Sequence, residues 1–401
     1  MASRPGKDTR MAKKTVNEKR AIRHLMDLLK VEGLSGREGN VAALVKKKLL
    51  EAGCKSAWMK HDKVHQKIPE DFEIGNLIVR IPGSVRGERR LFMGHMDTVP
   101  LCRGAVPVLR GNRITSRTNT ALGGDDRVAV AALVTLVETL LKNDLPHPPM
   151  TVLFTVGEEI GLWGARFVDR KDLGDPVMGF NVDGANPARL VIGAIGADRW
   201  EAHVHGKSAH AGLHPEGGIS AVVIAAKAIA EVAKRGYHGK VRKRRKDGTS
   251  NVGIVRGGEA TNQVNDYVFV RGESRSHDPE FLEEITQVYR SAFDNAVQAV
   301  ANDRGERGSV EFRAESDYRA FRMDESSAPV ALAMQCARKL RLRPTTVVGN
   351  GGLDANYLNE RGIPTVTLGA GQHRVHTVDE YVEVPEFVRG CRLLVEIATA
   401  P

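Results

Sequence analysis

Cysteine is scarce and scattered in this chain. Only Cys54, Cys102, Cys336 and Cys391 occur among 401 residues, and no two form a CxxC pair. That spacing argues against a disulfide framework and against a thiolate zinc site, and leaves buried thiols in a reducing cytoplasm as the expected state. Long apolar runs are lacking as well. None approaches the ~20 residues of a membrane-spanning helix, so no membrane partner is expected. The opening stretch, MASRPGKDTRMAKKTVNEKR, is basic and polar with no apolar segment. It is expected to be a solvated tail rather than a secretory signal. No internal repeat or low-complexity tract is visible.

What is there describes a sizeable globular protein. The hydrophobic content is 41%, ample for a packed core. The length exceeds one typical domain and suggests two. The net charge of +10 comes largely from the N-terminal tail and from the run Lys240, Arg242, Lys243, Arg244, Arg245 and Lys246. Such a run could meet an anionic surface. It has no interleaved aromatics, however, and leads into Asp247-Gly248, a turn pair. An exposed hairpin loop is therefore expected, with no nucleic-acid partner.

Periodicity organises the chain. Ile22, Leu25, Met26 and Leu29 recur at helical spacing, and Val41 to Ala52 continues as a second amphipathic helix. Asn76 to Ile81, Arg90 to Gly94, Met150 to Val156 and Val177 to Val182 read as strands, and Asp126 to Leu141 as a long apolar helix. Alternating strands and helices point to an α/β class, a doubly wound mixed sheet. From about Ala197 the texture changes. Arg199 to His205 alternates like a half-exposed strand, and β-α-β-β-α-β order follows to Ala314, the pattern of a small α+β module. Helical and buried-strand patterns then resume. The expected organisation is a first domain over residues 17–196 and 318–401, with a second inserted at 197–317.

Five residues of metal-ligand type, His95, Asp125, Glu159, Asp183 and His376, are read as lying at or just past the ends of apolar, strand-like runs. In α/β sheets, ligands bind outside the carboxyl ends of the strands. Each residue also has a plain reading: a core histidine, a helix cap, an exposed turn acid or an Asp-Gly turn. Together they supply carboxylates and imidazoles suited to Zn²⁺, Co²⁺ or Mn²⁺. His95 and Asp97 are two apart in a strand and point the same way, so Asp97 is suited to orient the imidazole. Gly123-Gly124 permits close backbone approach before Asp125, which could bridge two cations while Asp126 caps the helix. Glu158 and Glu159 follow a buried strand, where adjacent carboxylates repel unless a cation and a proton relieve them. His373 competes with His376 on composition.

The ordered segments GHMDTVP, GGDD, GEEIG, VDG, SAHAG, ATNQV, RSHD, GGLDAN, GIPTVTLG and HTVDEY resemble the co-catalytic dinuclear zinc peptidases, a family that includes peptidase T, carboxypeptidase G, succinyl-diaminopimelate desuccinylase and the aminoacylases. The likeness runs from about Ile22 to Val395 and is nearest to peptidase T-like members. It implies that His95 and Asp183 hold one metal, that Glu159 and His376 hold the other, and that Asp125 bridges them. It implies Asp97 as orienter of His95, and Glu158 as the general base that activates water. The inserted module would be a dimerisation domain, and His210 would polarise the scissile carbonyl in the other subunit of a homodimer. Asn262 and Arg275 would contact substrate, with Gly351, Gly352, Asp354 and Asn356 in a loop near the site. The chain departs from the family pattern at Arg127, where Lys is usual, and at Gly123-Gly124, where Gly-Ala is common; both are expected to affect helix packing. The implied activity is two-metal hydrolysis of short peptides by a cytoplasmic exopeptidase, an aminopeptidase of tripeptidase type, with N-acyl amino acid deacylation as the alternative.

Overall fold

The computed structural model describes residues 15–401. Most of the basic tail therefore lies outside the described residues. Its last part is ordered structure: Val16 is buried, and the Asn17 side chain accepts the Arg20 N–H at 3.1 Å to cap a helix, Glu18–Leu29.

The chain divides into two compact units, one of residues 1–193, 322–348 and 353–401, the other of residues 194–321 and 349–352. The first unit is built on a mixed sheet whose strands run in the order Met59–His61, Leu77–Ile81, Met150–Thr155, Arg90–His95, Met178–Val182, Thr365–Leu368, Arg189–Ala194. Its four central strands, from Met150–Thr155 to Thr365–Leu368, are parallel. Arg90–His95 and Met150–Thr155 are buried along their whole length, which is why they read as continuous apolar runs rather than alternating ones. The register sets His95 beside Thr155 and Val182 beside Leu368, so the carboxyl ends of these strands finish level. The helix Gly124–Lys142 is buried on all sides from Gly124 to Leu140. Such a helix is a rigid stake with no solvent face.

The second unit is a five-stranded antiparallel sheet in the order Gly239–Lys243, Lys246–Gly257, Tyr267–Ser276, Gly196–His205, Ser309–Tyr318. The helices Ala221–Lys234 and Pro279–Gln298 share its core. Trp200, Ala202 and Val204 are buried while Arg199 and His205 are exposed, the period-two pattern of a sheet with one covered face. Trp200 stacks on Phe312 with centroids 5.5 Å apart, and a Cβ on Gly272 would lie 2.2 Å from its ring, so only glycine fits opposite it.

Two expectations need correction. The module has one strand more than its sequence pattern suggested, because the basic run is itself paired. Gly239–Lys243 forms a ladder with Lys246–Gly257, with Arg242 opposite Asp247 and Val241 opposite Gly248. Asp247-Gly248 therefore sits in a strand, and the turn is Arg244-Arg245, with φ of +48° and +70°. Cross-strand pairing outweighed the local turn preference of Asp-Gly. Both arginines occupy the left-handed region that Asn-Gly normally takes in a two-residue hairpin. Replacing Arg244-Arg245 by Asn-Gly should stabilise this unit by about 1 kcal/mol. A thermal melt should show its midpoint rise by a few degrees; an unchanged or lower midpoint would mean that the arginines carry no backbone cost.

Candidate metal centre

The five residues expected as metal ligands, with Asp97 and Glu158, lie in the first unit, and they arrive by three routes. His95 ends its strand, Asp97 follows it, Glu158 and Glu159 follow Met150–Thr155, and Asp183 follows Met178–Val182. Asp125 and His376 do not follow strands of the central sheet. Asp125 lies in the first turn of the buried helix, where it and Asp126 depart from helical φ/ψ and are joined by a cis peptide bond. His376 lies between the short strands Gln372–His373 and Tyr381–Glu383, at φ +61°.

These routes converge. His95 Nε2 is 3.2 Å from Asp125 Oδ1, and His376 Nε2 is 3.3 Å from Asp125 Oδ2 and 2.9 Å from Glu159 Oε2. Two ligand-type groups result, His95–Asp125–Asp183 and Asp125–Glu159–His376; within each, the donor atoms all lie within 4.8 Å of one another. They share Asp125. His373 is placed elsewhere: its Nε2 is 2.6 Å from Glu386 Oε2 and its ring stacks on Tyr381.

A surrounding set of side chains holds this cluster. His95 Nδ1 faces the Asp97 main-chain oxygen at 3.1 Å and its carboxylate at 3.4 Å, which leaves Nε2 turned to Asp125. Asp97 does more than face His95. Its two oxygens accept the N–H groups of Glu158 and Glu159 at 3.1 and 3.2 Å, and Ser35 donates to it at 2.7 Å. Glu38, fully buried, accepts N–H groups from Gly36 and Gly157, both at 3.0 Å, so a second carboxylate steadies the same turn. Gln372 donates to Asp125 at 3.2 Å and to Asp183 at 3.0 Å. Glu380 accepts from three backbone N–H groups of the Asp125 turn. The sequence reading assigned no role to Glu38, Gln372 or Glu380; the one available signal was that Glu380 lies within HTVDEY.

Asp126 does not cap its helix. It accepts the His95 N–H at 3.2 Å, binding helix to strand end. Arg127 does more than pack: its guanidinium donates to the carbonyls of Met96, Val31 and Gly33, bracing the segments beside Asp97. Asp354 and Asn356 belong to a helix, Asp354–Glu360, rather than a loop, and Asp354 accepts from Thr155 Oγ1 at 2.5 Å.

Burial and mutual contact shift the titration of these groups away from their ordinary values. His376, bonded to Asp125 and Glu159, is pushed up to about 10. Burial favours neutral His95, but its contacts with Asp125 and Asp97 prevail and hold it well above the ordinary imidazole range. Burial likewise opposes charge on Asp125, yet the two imidazoles keep it below the usual carboxylate range. Burial, with Asp125 adding to it, pushes Asp183 up to about 7, and burial holds Glu158 well above the carboxylate norm. A divalent cation binding there would compete with protons for the same imidazole nitrogens and carboxylate oxygens. The donor set, two imidazoles and three carboxylates, suits two divalent ions.

The remaining expected residues lie in the second unit. His210 is exposed, and its Nδ1 accepts the N–H groups of Gly212 and Leu213 at 3.1 and 3.2 Å, which places the neutral ring's own proton on Nε2. Ala211 N–H donates to Asn262 O at 2.9 Å, so His210 and Asn262 belong to one paired patch. Arg275 makes a two-pronged pair with Glu273 at 2.9 and 3.0 Å. Gly351 is exposed and has open space around its α-carbon.

Comparison with known proteins places this geometry. Residues 91–400 match the peptidase family M20/M25/M40. An uncharacterized protein of Bacillus subtilis, YqjE, is 31% identical over 388 residues, covering 95% of this chain and 98% of that protein. The crystal structure of aminopeptidase PepT from Bacillus cereus is 30% identical with a TM-score of 0.80, covering 96% of this chain and 98% of that one. That of a tripeptidase from Staphylococcus aureus is 30% identical with a TM-score of 0.84, at the same coverage.

One consequence concerns pH. Burial pushes Glu38 up to about 8 and Asp183 up to about 7, against ordinary values of 4.5 and 3.8. A raised folded-state value means that the unfolded chain loses its proton first. The stability these acids contribute is therefore complete at about pH 4 and declines as pH rises toward 8. Metal-free protein should show an unfolding midpoint that falls between pH 5 and 8, and Zn²⁺ should flatten the decline. A midpoint that climbs over that range without metal would contradict the burial of neutral acids.

Proposed function

This chain belongs to peptidase family M20/M25/M40, and from that premise we propose that it is a metal-dependent exopeptidase acting on short peptides, an aminopeptidase of tripeptidase type. The observation that carries the reading is the pair of ligand groups sharing Asp125, in a chain 30% identical over nearly its whole length to an aminopeptidase and to a tripeptidase. In this reading His95 and Asp183 hold one divalent cation, Glu159 and His376 the other, and Asp125 both; Zn²⁺ suits the donors, as do Co²⁺ and Mn²⁺. Bound there, the two cations supply Lewis acidity, which acidifies water and polarises an amide carbonyl.

The chain's own groups do the rest. Asp97 keeps the His95 ring aligned and, through the N–H groups of Glu158 and Glu159, fixes the turn that presents both carboxylates. Glu158 Oε2 lies 4.0 Å from His95 Nε2, at the edge of the ligand cluster without belonging to either group. It accepts the proton of the attacking water and returns it to the leaving amine nitrogen. Burial holds its carboxyl well above the usual range, the direction of shift that suits a general base. The chain works as a homodimer through its second unit, and His210 of the partner subunit polarises the scissile carbonyl by donating an Nε2–H hydrogen bond to its oxygen as negative charge develops there. Asn262, Arg275 and Gly351 contact the substrate. None of the four cysteines is in a disulfide, which fits a cytoplasmic enzyme. Among the described residues no helix is long and apolar enough to cross a membrane.

The test is a panel of free-amine di- and tripeptides and N-acyl amino acids, run with metal-free enzyme reloaded with Zn²⁺, Co²⁺ or Mn²⁺. Metal-dependent release of an N-terminal residue is expected, with tripeptides preferred. Cleavage of N-acyl substrates alone would make the chain a deacylase with the same metals and base. Replacing Glu158 by Ala should retain both cations by elemental analysis and lower kcat by about 10²–10⁴-fold or more; a variant that keeps substantial turnover would remove Glu158 from the role of base.

A further inference from the structure

Glu380 takes no part in the chemistry above, yet it is 2% exposed and its carboxylate is the point on which one loop of the site closes. Its Oε2 accepts the N–H groups of Leu122 and Gly123, both at 2.8 Å, and its Oε1 accepts that of Asp125 at 3.0 Å. Three main-chain donors thus converge on one carboxylate. They lie at the start of the helix Gly124–Lys142, where the first N–H groups lack intrahelical partners. The N-cap position is Gly123, which offers no side chain for the purpose. The acid that meets this end of the helix comes from far along the chain.

The turn is shaped around that carboxylate. Gly123 has φ +79°, and a Cβ on Gly124 would stand 3.1 Å from Glu380 Oε1 and 2.8 Å from Val382 Cγ2. Two successive glycines are needed, one for its backbone conformation and one to admit the acid. The other end of the connection matters equally. Glu380 is four residues beyond His376, and its own N–H donates to Thr377 O at 3.1 Å. One short segment therefore grips the backbone of Asp125 with Glu380 and meets the Asp125 carboxylate with His376. The distance from His376 Nε2 to Asp125 Oδ2 is set by a loop anchored at both members of the pair.

We propose that Glu380 is a positioning residue for the metal centre: by locking the Leu122–Asp125 turn to the segment that bears His376, it holds the Asp125 carboxylate between His95 and His376 and so sets the affinity of the site for divalent cations. This rests on the reading of Asp125 and His376 as metal ligands. A carboxylate that served only to seal a helix end would leave cation affinity unchanged.

The test uses metal-free, full-length protein titrated with Zn²⁺ against a chromogenic chelator, together with tripeptide kinetics and a thermal melt. Glu380→Gln keeps the side chain's shape but turns an amide N–H toward one of the three donors. It should bind Zn²⁺ about 10- to 100-fold more weakly, in the range for groups that orient ligands, with kcat reduced and KM little changed. Val395→Ala, a buried change in the helix Val384–Ala398, is the control: it should lower the melting midpoint and leave Zn²⁺ affinity intact. Equal Zn²⁺ affinity in Glu380→Gln and the unaltered protein, or an equal loss in Val395→Ala, overturns the proposal. Should Glu380→Gln fail to fold, Glu380→Asp, which keeps the charge on a shorter arm, is read in the same way; if neither folds, the acid holds the fold rather than the ligand and the proposal falls. Failure of the unaltered protein to bind two Zn²⁺ would instead remove the metal reading and this inference with it.

Discussion

Asp125 is the contact on which the first unit's site depends. It is the residue common to both ligand groups, with an imidazole within 3.3 Å of each oxygen. Its position is over-determined from several directions. The buried helix fixes its Cα, Glu380 fixes its N–H, Gln372 donates to its carboxylate, and Asp126 next to it ties the helix to His95. A side chain so constrained would lose little further freedom on binding a cation, so any such binding would be opposed by less ordering cost. A helix buried all round is a costly way to support one aspartate unless its end must not move.

Charge is the second constraint. Asp97, Asp126, Asp354, Glu38 and Glu380 are almost wholly buried, in addition to the ligand-type acids. Isolated carboxylates in such a place are strongly disfavoured. Each has been given N–H or O–H donors, as Asp97 has from Glu158, Glu159 and Ser35, and buried Arg127 lies close by on the neighbouring segments. The remaining imbalance resides at the centre, where burial raises Asp183 and Glu158 while the acids raise both imidazoles. The burial that gathers these imidazoles and carboxylates is also what shifts their titration from ordinary values.

The second unit follows different physics. Its sheet has one covered face, so its strands alternate, and its aromatic core gathers on Trp200 with Phe312, Tyr289 and Phe293. His210 and Asn262 project from exposed segments that pair with each other, a placement that suits recognition more than support.

Much of this was legible from the chain alone. Continuous apolar runs identified the parallel strands, because a strand buried on both faces has no reason to alternate, and His95, Asp97, Glu158, Glu159 and Asp183 at or beyond their ends marked where a site would assemble, though Asp125 and His376 arrive from elsewhere. The ordered motifs pointed to the family without any coordinates. Other features were out of reach for a local reading. Asp247-Gly248 has the composition of a turn, but pairing with Arg242 and Val241 made it strand and moved the turn to two arginines. Asp126 has the composition of a cap, but a neighbouring strand offered His95 N–H as a better partner. His373 and His376 compete on composition, and only the fold shows His373 placed against Glu386 and Tyr381 while His376 meets Asp125 and Glu159. Glu38, Gln372 and Glu380 are defined only by what they touch, up to 258 residues away. Residue type and periodicity are local properties, so most of the elements, the family and the candidate ligand residues could be read directly from the chain. Which hydrogen-bond donor meets which acceptor across the fold depends on distances that only the packed tertiary structure sets, and that structure decided how Asp125 and its neighbours are held.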